Sequence, residues 1–294
     1  MPPFFLTTTE LLVTVWLMSL DEHSSTPWNR REWPQLQGIR AADLGEATSL
    51  DLSCSRLSPQ DVHLLSGLVK TSTRLTRLCL FESSGVTPDG VEELCEAMTQ
   101  SPSLVEVILS RVSLGLPGAL KLSAMLQMRP YVSVLDLADC KLDDDAAEHL
   151  AAAVFDNPVL TELNLADNAI SCRGAVALAD ALLSKCALTR LFVQRNQVGD
   201  DGASAFVQVI IDGALSTLSL AGNPFEVKTA KRLFDAMPFS PTVTRLDLGR
   251  VGGRDGNSYL LALEPYFKRN RSNNLNRNGS LLTLLCRTFK MQTL

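Results

Sequence analysis

The sequence has few of the residues from which catalytic and metal sites are usually built. Its 294 residues include three histidines, His23, His63 and His149, and none has a spacing typical of a nucleophile–base pair or of a metal-ligand pair. His149 follows Asp145 by four residues on a predicted helix, but no second pair of ligands accompanies them. The sequence therefore predicts a protein that is not an enzyme and that needs no metal and no cofactor.

Paired cysteines and an excess of basic charge are also missing. The seven cysteines are odd in number and show no paired spacing, which favours reduced thiols and an intracellular, cytoplasmic location. The net charge of −5 is too mild to indicate a nucleic-acid partner, so we expect none. The composition, 46% hydrophobic and 20% charged, excludes a disordered chain.

The apolar run near the N-terminus, residues 11–20 (LLVTVWLMSL), is too short to cross a bilayer, which takes about 20 residues. No Lys or Arg precedes it and no small-x-small cleavage site follows it, although a signal peptide would have both. We therefore predict a helix that caps the structure formed by the residues after it. A targeting segment for secretion is the alternative.

What the sequence does have is a repeat of about 28 residues. Residues 160–182 read LTELNLADNAISCRGAVALADAL, with leucines at the first, fourth and sixth positions, then Asn168 and Ile170. Shifting the frame by one period in either direction finds the same skeleton, and eight copies fill residues 47–270. A fixed period of this length predicts a solenoid, because one such unit cannot bury its apolar face alone.

The physical chemistry of one unit explains its spacing. Leu163 and Leu165 alternate with period two and predict a short strand with one buried face. Asn168 stands where the chain must turn, and its amide can bond backbone groups that no neighbouring strand reaches. Gly174 is expected to accommodate the dihedral angles of the loop-to-helix junction. The inner face of the helix is predicted to consist of Val176, Leu178, Ala179 and Leu182.

The pattern LxxLxLxxNxIxxxGAxxLAxAL resembles the ribonuclease-inhibitor subtype of leucine-rich repeat. The resemblance implies an α/β fold, a right-handed horseshoe with parallel strands on the concave face and helices on the convex face. Most members of that family bind other proteins. The chain then divides into an N-terminal flanking segment (1–46), eight repeats (47–270) and a basic tail with a short apolar helix (271–294).

A protein-binding scaffold, monomeric and without a membrane span, is the function that this resemblance implies first. A GTPase-activating protein of the Ran type uses similar repeats, but that family carries an acidic tail and residues 271–294 are basic. A substrate adaptor of a cullin ubiquitin ligase is a third hypothesis, since Leu282 precedes Cys286 as in the elongin-binding box. Leu281 stands where that box prefers Ser or Thr.

The pleat of the strands predicts which residues face the partner. If Leu163 and Leu165 point inward, Glu162, Asn164 and Ala166 point to solvent on the concave surface, with Asp167 at its rim. Repeats four and five then present four acids and no base, and repeat six presents Phe192 between arginines, a composition typical of binding hot spots. The predicted protein-binding residues are Phe192, Arg190, Arg195, Gln194, Glu162, Asn164, Asp167, Asp136, Asp139 and Arg245.

Overall fold

The computed structural model of the chain describes residues 47–128, 131–155 and 157–249. Within these residues eight strands of three residues alternate with seven α-helices, one pair per repeat. The strands are β1 (Ser49–Asp51), β2 (Arg77–Cys79), β3 (Glu106–Ile108), β4 (Val134–Asp136), β5 (Glu162–Asn164), β6 (Arg190–Phe192), β7 (Thr217–Ser219) and β8 (Arg245–Asp247). The helices are α1 (Pro59–Thr71), α2 (Pro88–Gln100), α3 (Gly115–Gln127), α4 (Asp144–Val154), α5 (Cys172–Leu182), α6 (Asp200–Asp212) and α7 (Val227–Ala236), which a 3₁₀ turn (Met237–Phe239) follows.

The strands form one open parallel sheet whose spatial order is the order of the sequence, β1 to β8. Each strand pairs with the next in the same register, so that Leu163 of β5 lies between Leu135 of β4 and Leu191 of β6. These central residues are fully buried because their side chains point toward the helices. Each described helix packs against the helix before it and the helix after it in the sequence. This is the predicted α/β solenoid.

Each helix turns its small and aliphatic residues toward the sheet. In α5 the buried residues include Ala175, Leu178, Ala179 and Leu182. Val176, expected on this inner face, is instead exposed, because at 100° per residue it lies beyond the edge of the stripe that Ala175 and Leu178 define.

Gly174 is required for a different reason from the expected one. It lies inside α5 with no positive φ, and an added Cβ would stand 2.8 Å from the Ala147 Cβ and 2.7 Å from an Asp144 carboxylate oxygen. Gly202 occupies the same position in α6, where a Cβ would stand 2.8 Å from the Cys172 Cα. Glycine is needed here because consecutive helices approach closely, and not because of unusual dihedral angles.

A column of amides joins the repeats behind the strands. The Asn168 side chain donates from Nδ2 to the carbonyl oxygens of Leu137 (2.9 Å) and Leu165 (3.1 Å), and its Oδ1 accepts from the amides of Cys140 and Leu142, both at 3.0 Å. Asn196 and Asn223 repeat the arrangement one and two repeats later. These asparagines satisfy turn groups that the ladder of strand hydrogen bonds leaves open, as the sequence predicts. In repeat four Cys140 takes the same position and its thiol donates to the Leu109 carbonyl oxygen at 3.1 Å.

Acids at the start of two helices cap the helix of the following repeat. Asp144, the first residue of α4, accepts hydrogen bonds from the backbone amides of Ser171 (2.7 Å) and Gly174 (2.9 Å) at the start of α5. Burial alone would raise the pKa of Asp144, but these bonds, the Ser171 hydroxyl and Arg173 together lower it below its usual value. Asp200 caps α7 in the same way through Glu226 and Thr229. Asp143 instead caps its own helix and accepts a hydrogen bond from the Ala146 amide.

Several predictions fall outside the described residues. They concern the N-terminal cap (1–46), the part of repeat eight beyond Gly249, and the basic tail (271–294). Within the described ranges, no helix is both long and apolar enough to cross a membrane.

Candidate functional site

The concave surface is built from the two outward positions of each strand. On β5 and β6 the first positions are Glu162 and Arg190, which pair across the sheet, and the third positions are Asn164 and Phe192. Phe192 also lies beside Ser219 of β7. Glu162, Asn164, Arg190 and Phe192 are half-buried, and the small Ser219 is buried. Phe192 is therefore outside the hydrophobic core, on the face that the pleat assigns to it.

Ion pairs between neighbouring strands fix the charged side chains of this face. Arg190 pairs with Glu162, and the Arg77 guanidinium lies 3.5 Å from Glu106 on the neighbouring strand. Burial raises the pKa of Glu162 above its usual value; Arg190 opposes this effect, while Asp136 and Glu106 reinforce it. Three acids, Glu106, Asp136 and Glu162, thus share the middle of the concave surface, and an arginine on a neighbouring strand contacts two of them.

The rim beside the strands carries a second column of charges. It follows the strand by three residues in each repeat, and its backbone is left-handed in seven consecutive repeats, with φ between 55° and 72°. Non-glycine residues adopt this conformation at a cost, and here six of them do so in a single file. The column consists of Cys54, Glu82, Arg111, Asp139, Asp167, Arg195 and Gly222.

The rim charges are paired as well. Arg111 bridges two repeats, with its guanidinium 3.0 Å from Glu82 and 3.5 Å from Asp139. Arg195 makes a two-pronged contact with Asp167. The acids of repeats four and five thus do have basic partners, because arginines from repeats three and six form ion pairs with three of them. The fourth, Asp136, accepts a hydrogen bond from the Ala138 amide at 3.0 Å.

Three segments of the chain, residues 130–151, 156–179 and 184–207, match the family model of the leucine-rich repeat. The chain is a leucine-rich-repeat protein. The strand-and-helix repeat is consistent with the ribonuclease-inhibitor-like kind. No curated protein matches the sequence.

Solved structures similar to this leucine-rich-repeat protein include two domains of low sequence identity. The first, leiomodin-1 actin-binding site 2, is 16% identical, covering 46% of this chain and 77% of its own, with a TM-score of 0.40. The second, the tropomodulin C-terminal domain of Caenorhabditis elegans, is 12% identical, covering 76% of this chain and 99% of its own, with a TM-score of 0.37.

Ala166, which the pleat assigns to the open concave surface of the leucine-rich-repeat protein, is not accessible there, and neither is Cys79 at an outward position of β2. Ala166 is 2% exposed and Cys79 is 6% exposed. Both side chains are small, and the Cys79 sulfur lies 3.1 Å from the Ser53 hydroxyl. Burial accordingly raises the pKa of the Cys79 thiol. The pleat predicts the direction in which a side chain points, but it does not predict how much of that side chain is exposed.

The remaining predicted residues are spread unevenly over the leucine-rich-repeat surface. Gln194 lies one repeat from Ala166 in the same column and is half-buried, and its Oε1 atom has no hydrogen-bond partner within the described residues. The Nε atom of Arg190 is in the same situation. Arg245 on β8 is exposed and lies two strands from Phe192. The predicted set is thus continuous from repeat four to repeat six and separate at repeat eight.

One aromatic contact was missed as a feature of the site. The guanidinium of Arg111 lies over the ring of Phe81, 5.3 Å from its centroid, which is within the range of a cation–π interaction. The two residues are on neighbouring repeats at adjacent rim positions. The spacing of about one repeat between Phe81 and Arg111 in the sequence is the signal that could have revealed the pair.

The convex surface of the leucine-rich-repeat protein offers little chemistry. An open depression of about 400 Å³ lies between α4 and α5, and Arg173 on its wall is paired with Asp145 and, at 3.2 Å, with Glu148. Among residues 47–128, 131–155 and 157–249, no group of His, Cys, Asp and Glu side chains could hold a metal ion.

Proposed function

We propose that the chain is a non-enzymatic scaffold that binds a protein partner on its concave face, with Phe192 at the centre of the contact. The observation that carries the proposal is the partial exposure of Phe192 on β6, on the side of the sheet opposite to the core. Aromatic side chains surrounded by polar groups dominate the energy of protein interfaces. No helix or loop of the described repeats covers this side of the sheet.

The ion pairs beside Phe192 support the same proposal. Arg190 is held by Glu162, and Arg195 by Asp167, before any partner arrives. A surface whose long side chains are already ordered loses less conformational entropy when it binds. The arginines can still donate to a partner, because each guanidinium has five N–H groups and its carboxylate uses at most two of them.

The test replaces the central pair in the full chain, Phe192→Ala together with Arg190→Ala. We expect the variant to bind the proteins that the wild-type chain captures with about 30-fold lower affinity, since hot-spot truncations cost about 2 kcal/mol or more. The melting temperature should change little because neither residue belongs to the core. Affinity capture with quantitative mass spectrometry measures the first effect and thermal unfolding the second.

The convex face supplies a matched control, Arg173→Ala with Val176→Ala, an arginine and an apolar residue of the same exposed character. This control should retain every captured protein. If the concave variant also retains the full set, the concave face is not the binding site.

A further inference from the structure

The segments that lead from each helix into the next strand, called junctions below, form one edge of the solenoid. Because the eight strands are parallel and in register, their N-terminal ends all lie on this edge. Hydrogen bonds join consecutive junctions: the Asn157 side chain donates to the Leu126 carbonyl oxygen at 3.1 Å, and the Ala187 amide donates to the Asn157 carbonyl oxygen at 2.7 Å. The junctions after α3, α4 and α5 are therefore direct neighbours.

These three junctions expose large apolar side chains that no described residue covers. Met128 is 70% exposed, Tyr131 65%, Phe155 56% and Leu183 44%. Met128, Phe155 and Leu183 occupy the same place, immediately after α3, α4 and α5, so they recur once per repeat. We call these four residues the junction row. The residues directly after α1 and α2, Ser72 and Ser101, are buried and polar and correspond to Asn157 rather than to Phe155, since each accepts a hydrogen bond from the backbone amide three residues later.

The size of the junction row suits a short segment better than a second folded protein. Fully exposed aromatic side chains offer about 150–250 Å² each, so the row presents on the order of 450 Å² at the exposures observed. A patch of this size on a monomer is often functional. It is little more than half of the roughly 800 Å² that each partner buries in a standard interface.

We propose that residues 11–20 of this same chain (LLVTVWLMSL) pack along the junction row. The sequence enters β1 at the N-terminal end of that strand, on the edge that carries the row. Residues 21–46 can span about 85 Å at most, whereas the far end of the row is five repeats away, about 50 Å at helix spacing. Ten residues extend about 33 Å as a strand, enough to cover the roughly 20 Å between its first and last junctions. As a helix they extend about 15 Å and reach two of the three junctions.

This surface is independent of the concave face, and its occupant differs from the predicted end cap. A segment over the first repeat would contact the helix α1 side of the solenoid and leave the row open. A segment on the row contacts Tyr131 and Phe155, three and four repeats away. The two arrangements place the single tryptophan of the segment, Trp16, against different residues.

The first experiment reads the environment of Trp16 in the full chain. The chain has three tryptophans, so Trp28→Phe with Trp33→Phe leaves Trp16 as the only emitter. We expect its emission to be that of a buried indole and to shift to longer wavelength by several nanometres when Tyr131→Ser and Phe155→Ser are added. Phe239→Ser is the matched control: Phe239 is 71% exposed on the same edge, outside the row, and its substitution should leave the spectrum unchanged.

The second experiment identifies the occupant by replacing Phe155 with p-benzoylphenylalanine and irradiating the purified full chain. A cross-link to residues 11–20 of the same molecule supports the proposal. A cross-link to residues 250–294, a cross-link between two copies of the chain, or none at all overturns it. Removal of residues 1–20 from the chain made in cells, as for a cleaved targeting segment, overturns it too.

Discussion

The first repeats and the central repeats satisfy the same polar groups in different ways. In repeats one and two the helices are capped from within: Ser58 and Asp61 form a reciprocal capping box at the start of α1, and Thr87 accepts from the Gly90 amide at the start of α2. The starts of α5 and α7 have no side-chain cap of their own. They are capped across the repeat boundary by Asp144 and Asp200.

The turn column shows the same division. In repeat two, Ser83 makes one bond to the preceding repeat, from its hydroxyl to the Leu52 carbonyl oxygen at 2.7 Å, and in repeat three Val112 can make none. Asn168, Asn196 and Asn223 each donate to and accept from the preceding repeat. The stability of a solenoid is a sum of repeat terms and nearest-neighbour terms. We therefore infer that neighbour coupling is stronger in repeats four to seven than in repeats one to three.

Asn196→Ala should show the largest effect of this kind. The substitution leaves the buried Ile170 amide without a partner, and an unsatisfied buried group costs about 1–3 kcal/mol. It also removes one of two hydrogen bonds to the Leu165 carbonyl oxygen, which keeps the bond from Asn168. We expect the free energy of unfolding to fall by about 3 kcal/mol in denaturant titrations. Ser83→Ala, which removes one bond in the first half, should cost about 1 kcal/mol. Equal losses of unfolding free energy in the two variants would contradict the stronger coupling inferred for repeats four to seven.

The approach of neighbouring helices gives the second prediction. Gly174→Ala places a methyl group 2.8 Å from the Ala147 Cβ, so we expect a loss of about 1–3 kcal/mol from overpacking. Gly67 on α1 is the control, because nothing lies within 4 Å of its added Cβ. Gly67→Ala should stabilise the chain by about 0.5–1 kcal/mol, since alanine loses less entropy in a helix. Thermal unfolding of both variants measures the difference, and a loss in both would show that helix contact is not its cause.

The sequence predicts the fold because the period acts on every repeat at once. The alternation of Leu163 and Leu165 and the position of Asn168 are local signals that eight copies reinforce, and the strands and amide bonds follow them. The role of Gly174 could not be predicted in this way. Its requirement comes from the distance to the preceding helix, which depends on the side chains of two repeats together.

The candidate site was predictable in direction but not in its contacts. The pleat assigns Phe192 to the concave face because side chains alternate along a strand. The pairing of Asp139 with Arg111 and of Asp167 with Arg195 depends on side chains one repeat apart meeting across the sheet. Those pairs follow from the register of the strands, which the pattern of a single repeat does not contain. The junction row lies outside the leucine and asparagine positions that define the repeat, so those positions gave no signal of it.

The smallest expected effect concerns the pH dependence of the boundary between repeats four and five. The pKa of Asp144 is lowered below the ordinary aspartate value of about 3.9, so the folded chain favours the ionised form. The stabilisation it supplies is complete above that value and is lost as the pH falls through the lower folded pKa. Asp144→Asn should cost about 1 kcal/mol at pH 7, because the amide nitrogen cannot accept from Ser171. It should also flatten the fall in unfolding free energy below about pH 4.

Asp145→Asn separates this capping role from a general loss of charge. Asp145 is the next residue on α4, its side chain is 53% exposed, and its partner is the exposed Arg173, so the pair contributes little. In denaturant titrations at a series of pH values, the unfolding free energy of Asp145→Asn should depend on pH in the same way as that of the wild-type chain. If Asp145→Asn flattens the acid limb as much as Asp144→Asn does, the coupling between α4 and α5 comes from overall charge and not from the cap. The contrast between the central and the first repeats would then rest on the asparagine column alone.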